Sequence, residues 1–391
     1  MAFTENGITI TNYFAKISDY AAWLPLGGAQ GIGLNTYGQL GTNNWIDVAL
    51  SKKEVTAGVP TLYAIDGNGF PIGTDVANYS NNFTCSYSSM FNIKSDGTLW
   101  AWGRNDAGQL GLRDLIDRYS PIQVGTLSNW SQAEGGFFHS AAIKTDGTLW
   151  TWGRNNEGQL GLSNQTNRLS PVQVGLLSDW SKLACGYYHT TAIKTDGTLW
   201  TWGNNNNGQL GLSDIINRSS PVQVGTLSTW NKVACGYSNL AFINNTNGTL
   251  WTTGVNSVLG YNGIHSPVQI STTSDWNKVV CGLNHTLALK TDGSLWVWGN
   301  NSWGQLGLSH QNNMSFISKI DSLYNWANIA CGTNYSAAIK TDGTLWAWGN
   351  NSFGQLGQNN YVHISSPVQV GGINNYVSVY CLNQTTMAEL V

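Results

Sequence analysis

Residues 143–163 read "IKTDGTLWTWGRNNEGQLGLS", and residues 193–213 read "IKTDGTLWTWGNNNNGQLGLS". A near-identical segment fifty residues on is either a site used repeatedly or a structural part. The segment itself argues for the second. "HTTAIKTDGTLWTWG" at 189–203 sets two apolar, β-rich runs around Asp-Gly, the strongest short hairpin signal, and predicts a type I′ turn. Trp200 and Trp202 fall on one face of the second strand and Leu199 on the other, so both faces must be covered. "SKLACG" before this unit and "SPVQVG" after it supply two more strands, with the proline suited to a first strand position.

The unit recurs along the chain. Turn glycines at Gly97, Gly147, Gly197, Gly248, Gly293 and Gly343 are 50, 50, 51, 45 and 50 residues apart. Gly-Gln-Leu-Gly begins at Gly38, Gly108, Gly158, Gly208, Gly304 and Gly354, with a degenerate "SVLG" at Ser257. An aromatic followed by Cys-Gly marks Trp180, Trp230, Trp276 and Trp326, more loosely Trp45, Trp130 and Tyr376. Four short strands every ~50 residues, without helical periodicity between them, predict β-propeller blades that bury the tryptophans between them.

The combination "DGTLWTWG…NNGQLGL…PVQV…W…CG…H" resembles the repeat of the regulator of chromosome condensation family, clearly over 79–391 and weakly over 14–78. The resemblance implies an all-β, seven-bladed β-propeller. Its founding activity, nucleotide exchange on a small GTPase, is one use of the fold among several. The expected organisation is a single domain over 1–391. Residues 1–44 and 376–391 would form a composite closing blade, 45–78 a degenerate unit, and 79–375 six regular repeats. Closure of this kind removes exposed strand edges. An eighth small blade over 45–78 is the alternative.

Bulk properties narrow the function. Charged residues are only 10% of the 391, with a net charge of −3, against roughly a quarter in an ordinary soluble protein. Neither a nucleic-acid partner nor membrane insertion is expected. The start, "MAFTENGITITNYFAK", lacks a basic end followed by an apolar run, so no signal peptide is expected and synthesis would be cytoplasmic.

The candidate chemistry is sparse. Cys85, Cys185, Cys235, Cys281, Cys331 and Cys381 share one repeat position, and residues spread around an axis stand too far apart for disulfides, so buried free thiols are expected. His139, His189 and His285 share another, with Asn239 and Tyr335 elsewhere, which suggests rings bonded to backbone near the inner strands rather than a metal site. Lys144, Lys194, Lys290 and Lys340 precede Asp146, Asp196, Asp292 and Asp342 by two residues and suggest a repeated ion pair or a turn-stabilising contact. The Asn/Gly clusters lack the acidic ligands of calcium loops and suit left-handed backbone. No catalytic constellation and no cofactor motif stands out.

Positions that vary between units are the candidates for binding. One set follows Cys-Gly: Phe137, Phe138, Tyr187, Tyr188, Tyr237, Asn284, Asn334 and Tyr335, expected around one mouth of the axial channel. The other is Arg118, Arg168 and Arg218 in the loop after Gly-Gln-Leu-Gly, either a basic arc or intramolecular ties. A non-catalytic binding or structural propeller is therefore expected, meeting another protein or a surface glycan through a loop-rich face. The polar, charge-poor surface without a secretory signal suggests a phage virion decoration or tail-associated attachment protein, with other virion proteins as partners. The alternative is a guanine-nucleotide exchange factor-like regulator.

Overall fold

The computed structural model describes residues 3–5, 8–10, 24–26, 29–33, 83–255, 264–320, 325–358, 360–372 and 374–390. The expectations for 45–78, for the Gly38 loop and for the Ser257 loop lie outside these residues.

The protein is an all-β propeller of four-stranded antiparallel sheets. One blade shows the plan. Trp180–Cys185, His189–Lys194, Leu199–Gly203 and Arg218–Gln223 pair in chain order, inner strand first. Six blades are each built on one stretch of chain: blade 1 spans 83–123, blade 2 130–173, blade 3 180–223, blade 4 230–269, blade 5 276–319 and blade 6 326–369. The sequence reading counted seven units with an eighth as alternative; a single stretch of chain supplies six whole blades. A further sheet is composite, ordered Tyr376–Cys381, Thr385–Leu390, Ala29–Gly33, Leu24–Leu26. In it Thr385 faces Gly33 and Glu389 faces Ala29. Its inner strand contacts both Trp326–Cys331 of blade 6 and Phe83–Cys85 of blade 1. A separate two-stranded pair joins Phe3–Glu5 to Ile8–Ile10.

The hairpin differs in detail from the expected type I′ turn. The Lys194 carbonyl accepts from the Gly197 amide at 2.9 Å, and the Lys194 amide donates to the Thr198 carbonyl at 3.0 Å. Gly197 has φ of 80°, whereas Asp196 is absent from the residues with positive φ. A three-residue loop closed by one left-handed glycine therefore makes the turn. Asp196 takes another role: its Oδ1 accepts from the Thr198 amide and hydroxyl at 2.9 and 2.7 Å. The proline also falls elsewhere than expected. Pro171 and Pro221 lie inside strands Arg168–Gln173 and Arg218–Gln223, which are the outermost of their sheets. An edge strand tolerates the missing donor.

Blades stack by burying unlike faces. Ala141, Ile143 and Leu149 of blade 2 pack against Trp180, Leu183, Ala192 and Trp202 of blade 3. Trp202 is fully buried, with Trp180 edge-on to both Trp200 and Trp202 at 6.1 Å. The indole also fastens the blades: Trp202 Nε1 donates to the Gln159 carbonyl of blade 2 at 2.9 Å, and Thr190 Oγ1 donates to the same oxygen at 2.8 Å. Trp152 and Ser140 repeat this on Gln109, and Trp348 and Ser336 on Gln305. The recurrence of Trp with Gly-Gln-Leu-Gly thus has one cause, an inter-blade tie with its acceptor held in the loop.

Several polar expectations are corrected by these contacts. Loop glycines such as Gly158 and Gly208 supply left-handed backbone as expected, but the asparagines do not: among the described residues the non-glycines with positive φ are Arg113, Ser163, Ser213 and Ser309. Buried Asn155 instead organises its loop, accepting from the Leu160 amide and donating to the Asn164 carbonyl, both at 2.9 Å. Of the two expectations for the turn aspartates the turn-stabilising contact is the one seen, and they are not the ion partners of the lysines. Lys194 pairs with Asp179 at 3.2 Å and Lys290 with Asp275 at 3.0 Å. Lys144, Lys194 and Lys340 lie over Trp150, Trp200 and Trp346, 3.8 to 4.4 Å from the ring centroids.

Candidate functional site: the channel mouth

The inner strands wall an axial cavity of about 550 Å³, open to solvent and lined by Cys-Gly-X or its variants from each sheet in turn. All six cysteines are free and partly buried there rather than fully enclosed. Burial pushes the Cys281 and Cys381 thiols up to about 12, so they stay protonated and poorly nucleophilic at neutral pH. Among the described residues no group of histidine, cysteine and carboxylate side chains has the arrangement to hold a metal.

Behind this lining stand the histidines. His139, His189 and His285 are buried, and burial holds their pKa values at about 3, 3 and 4. His139 and His285 tie one blade to the next through side chains, where the sequence suggested backbone; His189 has no hydrogen-bond partner at either ring nitrogen. His139 Nε2 lies 2.8 Å from Thr190 Oγ1, and His285 Nε2 lies 3.0 Å from Ser336 Oγ. Because the Thr190 and Ser336 protons go to Gln159 and Gln305, each imidazole must be the Nε2–H tautomer and donate. Tyr335, which the sequence placed among the binding residues, is a fully buried member of this set; its hydroxyl donates to the Thr385 carbonyl at 2.5 Å. It is not available to a ligand.

The mouth is formed by the residue after Cys-Gly. A collar of backbone bonds fixes it: Tyr187 N to Gly236 O, Tyr237 N to Leu283 O, Leu283 N to Thr333 O, Thr333 N to Asn383 O, and Asn383 N to Tyr87 O, at 2.9 to 3.2 Å. On that collar the side chains divide into two sectors. Tyr87, Phe137, Tyr187 and Tyr237 form a continuous aromatic arc, with Phe137 stacked on Tyr187 at 3.8 Å, Tyr87 edge-on to Phe137 at 4.1 Å and Tyr237 edge-on to Tyr187 at 4.5 Å. Phe138 and Tyr188 form a second layer, 4.1 and 4.6 Å from Phe137 and Tyr187. The remaining sector carries Leu283, Thr333 and Asn383, with the Thr333 hydroxyl donating to Asn383 Oδ1. Asn284 is exposed and Asn334 half-buried beside it.

Two arginines border the aromatic arc. Arg104 lies 4.7 Å from the Phe138 ring and pairs with Asp106. Arg154 lies 5.0 Å from Tyr188 and 5.6 Å from Phe138, and among the described residues it has no ion pair. Burial raises the pKa of Tyr187, and the neighbouring phenols add to it, so its hydroxyl remains a donor. Each aromatic pair contributes about 0.5–1.5 kcal/mol beyond area burial, so the arc is held in place before any partner arrives.

The structure thus brings together Phe137, Phe138, Tyr187, Tyr188 and Tyr237. It separates them from Arg118, Arg168 and Arg218, which are engaged within their own loops. Arg118 pairs with Asp114 and donates to the Ile116 carbonyl; Arg218 does the same with Asp214 and Ile216; Arg168 reaches the Asn167 carbonyl at 3.3 Å. The sequence reading missed Tyr87, Arg104 and Arg154. The first follows Cys85 at the register of Tyr187. The arginines occupy the position after Trp-Gly where later units have asparagine (Asn204, Asn300, Asn350), and that alternation was the available signal.

Comparison with known proteins agrees with this architecture. The family model for the regulator of chromosome condensation (RCC1) repeat matches residues 96–143, 146–193, 196–243, 292–339 and 342–388. The chain belongs to this RCC1-repeat family. A second RCC1-repeat model matches 131–159, 180–209, 276–305 and 326–355. Among solved structures, human WBSCR16 is similar with a TM-score of 0.76 at 21% identity, covering 93% of this chain and 98% of that one. Prp20p from Saccharomyces cerevisiae, in a structure described with its binding properties to Gsp1p and histones, gives 0.74 at 18% identity, covering 96% and 93%. Yeast RCC1 (Prp20) bound to Kap60 gives 0.76 at 16%, covering 100% and 96%. At these identities the likeness is one of fold. A comparison with curated proteins gave no match.

Proposed function

We propose that this RCC1-repeat propeller is a non-catalytic binding protein that docks another protein on the aromatic sector of its channel mouth. The observation that supports the reading is the asymmetry of that mouth. A repeat that could place the same residue in every sheet places aromatics in four neighbouring ones, flanked by Arg104 and Arg154, and small polar or aliphatic residues in the rest. Preorganised Tyr and Phe anchors beside arginine have the composition of interface hot spots. The collar bonds at Tyr187 and Tyr237 are made by backbone groups, so truncating those side chains leaves the bonds in place.

A photo-crosslinking residue placed at Tyr188 tests this, with a second at Leu176, which is 94% exposed and belongs to the connection between blades 2 and 3. The reading requires one discrete adduct from Tyr188 that is lost in a Tyr187→Ala, Phe137→Ala protein that still unfolds cooperatively well above the assay temperature. Equal adducts from both positions would refute it.

A second reading, regulation of a small GTPase by nucleotide exchange, draws on the likeness to Prp20p, whose structure is described with its binding to Gsp1p. A nucleotide-release assay across a GTPase panel tests it separately. The narrower idea of a virion attachment protein rests on composition alone, and a protein partner is preferred to a glycan.

A further inference from the structure

The opposite end of the channel carries a different pattern. Lys182, Lys232 and Lys278 occupy the same position on three consecutive inner strands, Trp180–Cys185, Trp230–Cys235 and Trp276–Cys281. Each follows a register shift between the leading tryptophan and the lysine. The other described inner strands have neutral residues there: Gln132, Asn328 and Ser378.

The side chains reach from strand to strand around the wall. Lys232 Nζ bonds the carbonyl and Oδ1 of Asn277, the residue before Lys278. Lys278 Nζ bonds Asn328 Oδ1 at 2.6 Å, and Asn328 Nδ2 donates to the Val377 carbonyl at 3.3 Å. The partners are all neutral. The carboxylates that precede two of these strands, Asp179 and Asp275, are held by Lys194 and Lys290. Lys182, which is exposed, has no hydrogen bond or ion pair among the described residues. Burial, and then the neighbouring Lys182, lowers the pKa of Lys232; burial is also the largest cause for Lys278, with Lys232 adding to it. The three ammonium groups therefore have no carboxylate among their hydrogen-bond partners; the inner-strand carboxyl Glu134 on the preceding blade is bonded to Gln132, and burial raises its pKa to about 7.

We infer that this lysine ladder is a binding site for a small, multivalent phosphate anion entering the channel from the end opposite the aromatic mouth. Compact ammonium point charges suit phosphate oxygens. Their spread over three strands suits a short phosphate chain better than a single monovalent ion. Field focusing in a low-dielectric channel would strengthen the attraction. The site is independent of the docking proposed for the mouth.

Inorganic tripolyphosphate is the probe, titrated at constant ionic strength while thermal unfolding is followed. A saturable rise in melting temperature is expected. Lys232→Gln and Lys278→Gln should each weaken the apparent affinity about tenfold or more, a loss of about 1.4 kcal/mol. Lys319→Gln, on an outer strand, should leave it unchanged. Without anion, Lys232→Gln should melt at or above the wild-type temperature, because it removes like-charge repulsion. Sodium chloride reproducing the rise, an unchanged response in both variants, or a Lys232→Gln protein that melts several degrees lower without anion would each overturn the assignment. The last result would make the ammonium a structural tie to Asn277.

Discussion

His189 offers a direct test of how the buried histidines shape stability. The unfolded chain protonates an ordinary histidine near pH 6.5, whereas burial holds His189 at about 3 in the folded ring. Between those values the unfolded state binds a proton that the folded state refuses. Stability is therefore full above pH 6.5 and falls as pH drops through the window. His189→Asn removes that proton while keeping a side chain the scaffold already accepts, since Asn239 fills the same place in blade 4. His189 is the right choice among the three, because neither of its ring nitrogens has a hydrogen-bond partner. Where Thr190 serves His139 and Ser336 serves His285, Leu240 stands opposite His189. The substitution thus deletes a titration without deleting a bond. The slope of unfolding free energy against pH should fall by about 1.4 kcal/mol per pH unit between pH ~6 and ~4, accumulating to about 3 kcal/mol between pH 7 and 4. Glu134, whose pKa burial raises to about 7, acts with the opposite sign but equally in both proteins, so it cancels in the difference. Urea titrations at half-unit steps from pH 7 to 4.5 measure the two slopes. Parallel curves for wild type and variant would refute the buried, neutral assignment.

Two further outcomes follow from the packing. Deleting 376–391 removes both inner strands of the composite sheet and uncovers Phe83, Met90 and Trp102, which pack on Leu382 and Met387. At ~1.5–3 kcal/mol per large side chain exposed, calorimetry should show loss of the cooperative transition; a truncated chain that melts like the whole would contradict ring closure through this sheet. Gly186→Ala should cost more than Gly175→Ala in urea midpoint. A Cβ at 186 would meet the His189 ring at 2.2 Å, whereas at 175 nothing lies within 4 Å and only a φ of +62° opposes it. Overpacking at the first costs ~1–3 kcal/mol and backbone strain at the second ~1 kcal/mol; equal midpoints would show the ring moving aside.

The propeller was legible because its signals are local and repeated. Asp-Gly, alternating Leu-Trp-X-Trp and the spacing of Gly-Gln-Leu-Gly each report a strand or turn, and they agree unit after unit. What escaped was the destination of each polar group. Lys194 precedes Asp196 by two residues yet pairs with Asp179, because a residue before the inner strand comes alongside only when the sheet forms. Arg218 reads as a free basic residue until Asp214 closes on it. The mouth was half legible: the register predicted that Phe137 and Tyr187 lie near the axis, but stacking at 3.8 Å across two blades is a property of the closed ring.

The same contacts explain why specialisation gathers at the mouth. In blade 4 the indole of the tie is replaced by Thr253, whose single hydroxyl proton is shared between the Ile264 carbonyl at 2.7 Å and the Gly208 carbonyl at 3.0 Å. In that blade the hydroxyl position is Leu240, and His189 next to it loses its acceptor. One departure inside the stack thus comes with a second change on the same blade and leaves a histidine on the neighbouring blade without a partner, which makes scaffold positions expensive to vary. The collar behaves differently. Tyr187, Tyr237, Leu283, Thr333 and Asn383 each donate an amide bond to the next sheet, whether the side chain is phenolic, aliphatic or polar. Backbone groups carry the geometry there, so a side chain can be exchanged without breaking those bonds. A ring whose parts must match everywhere else is free to differ at that rim, and the aromatic arc lies on it.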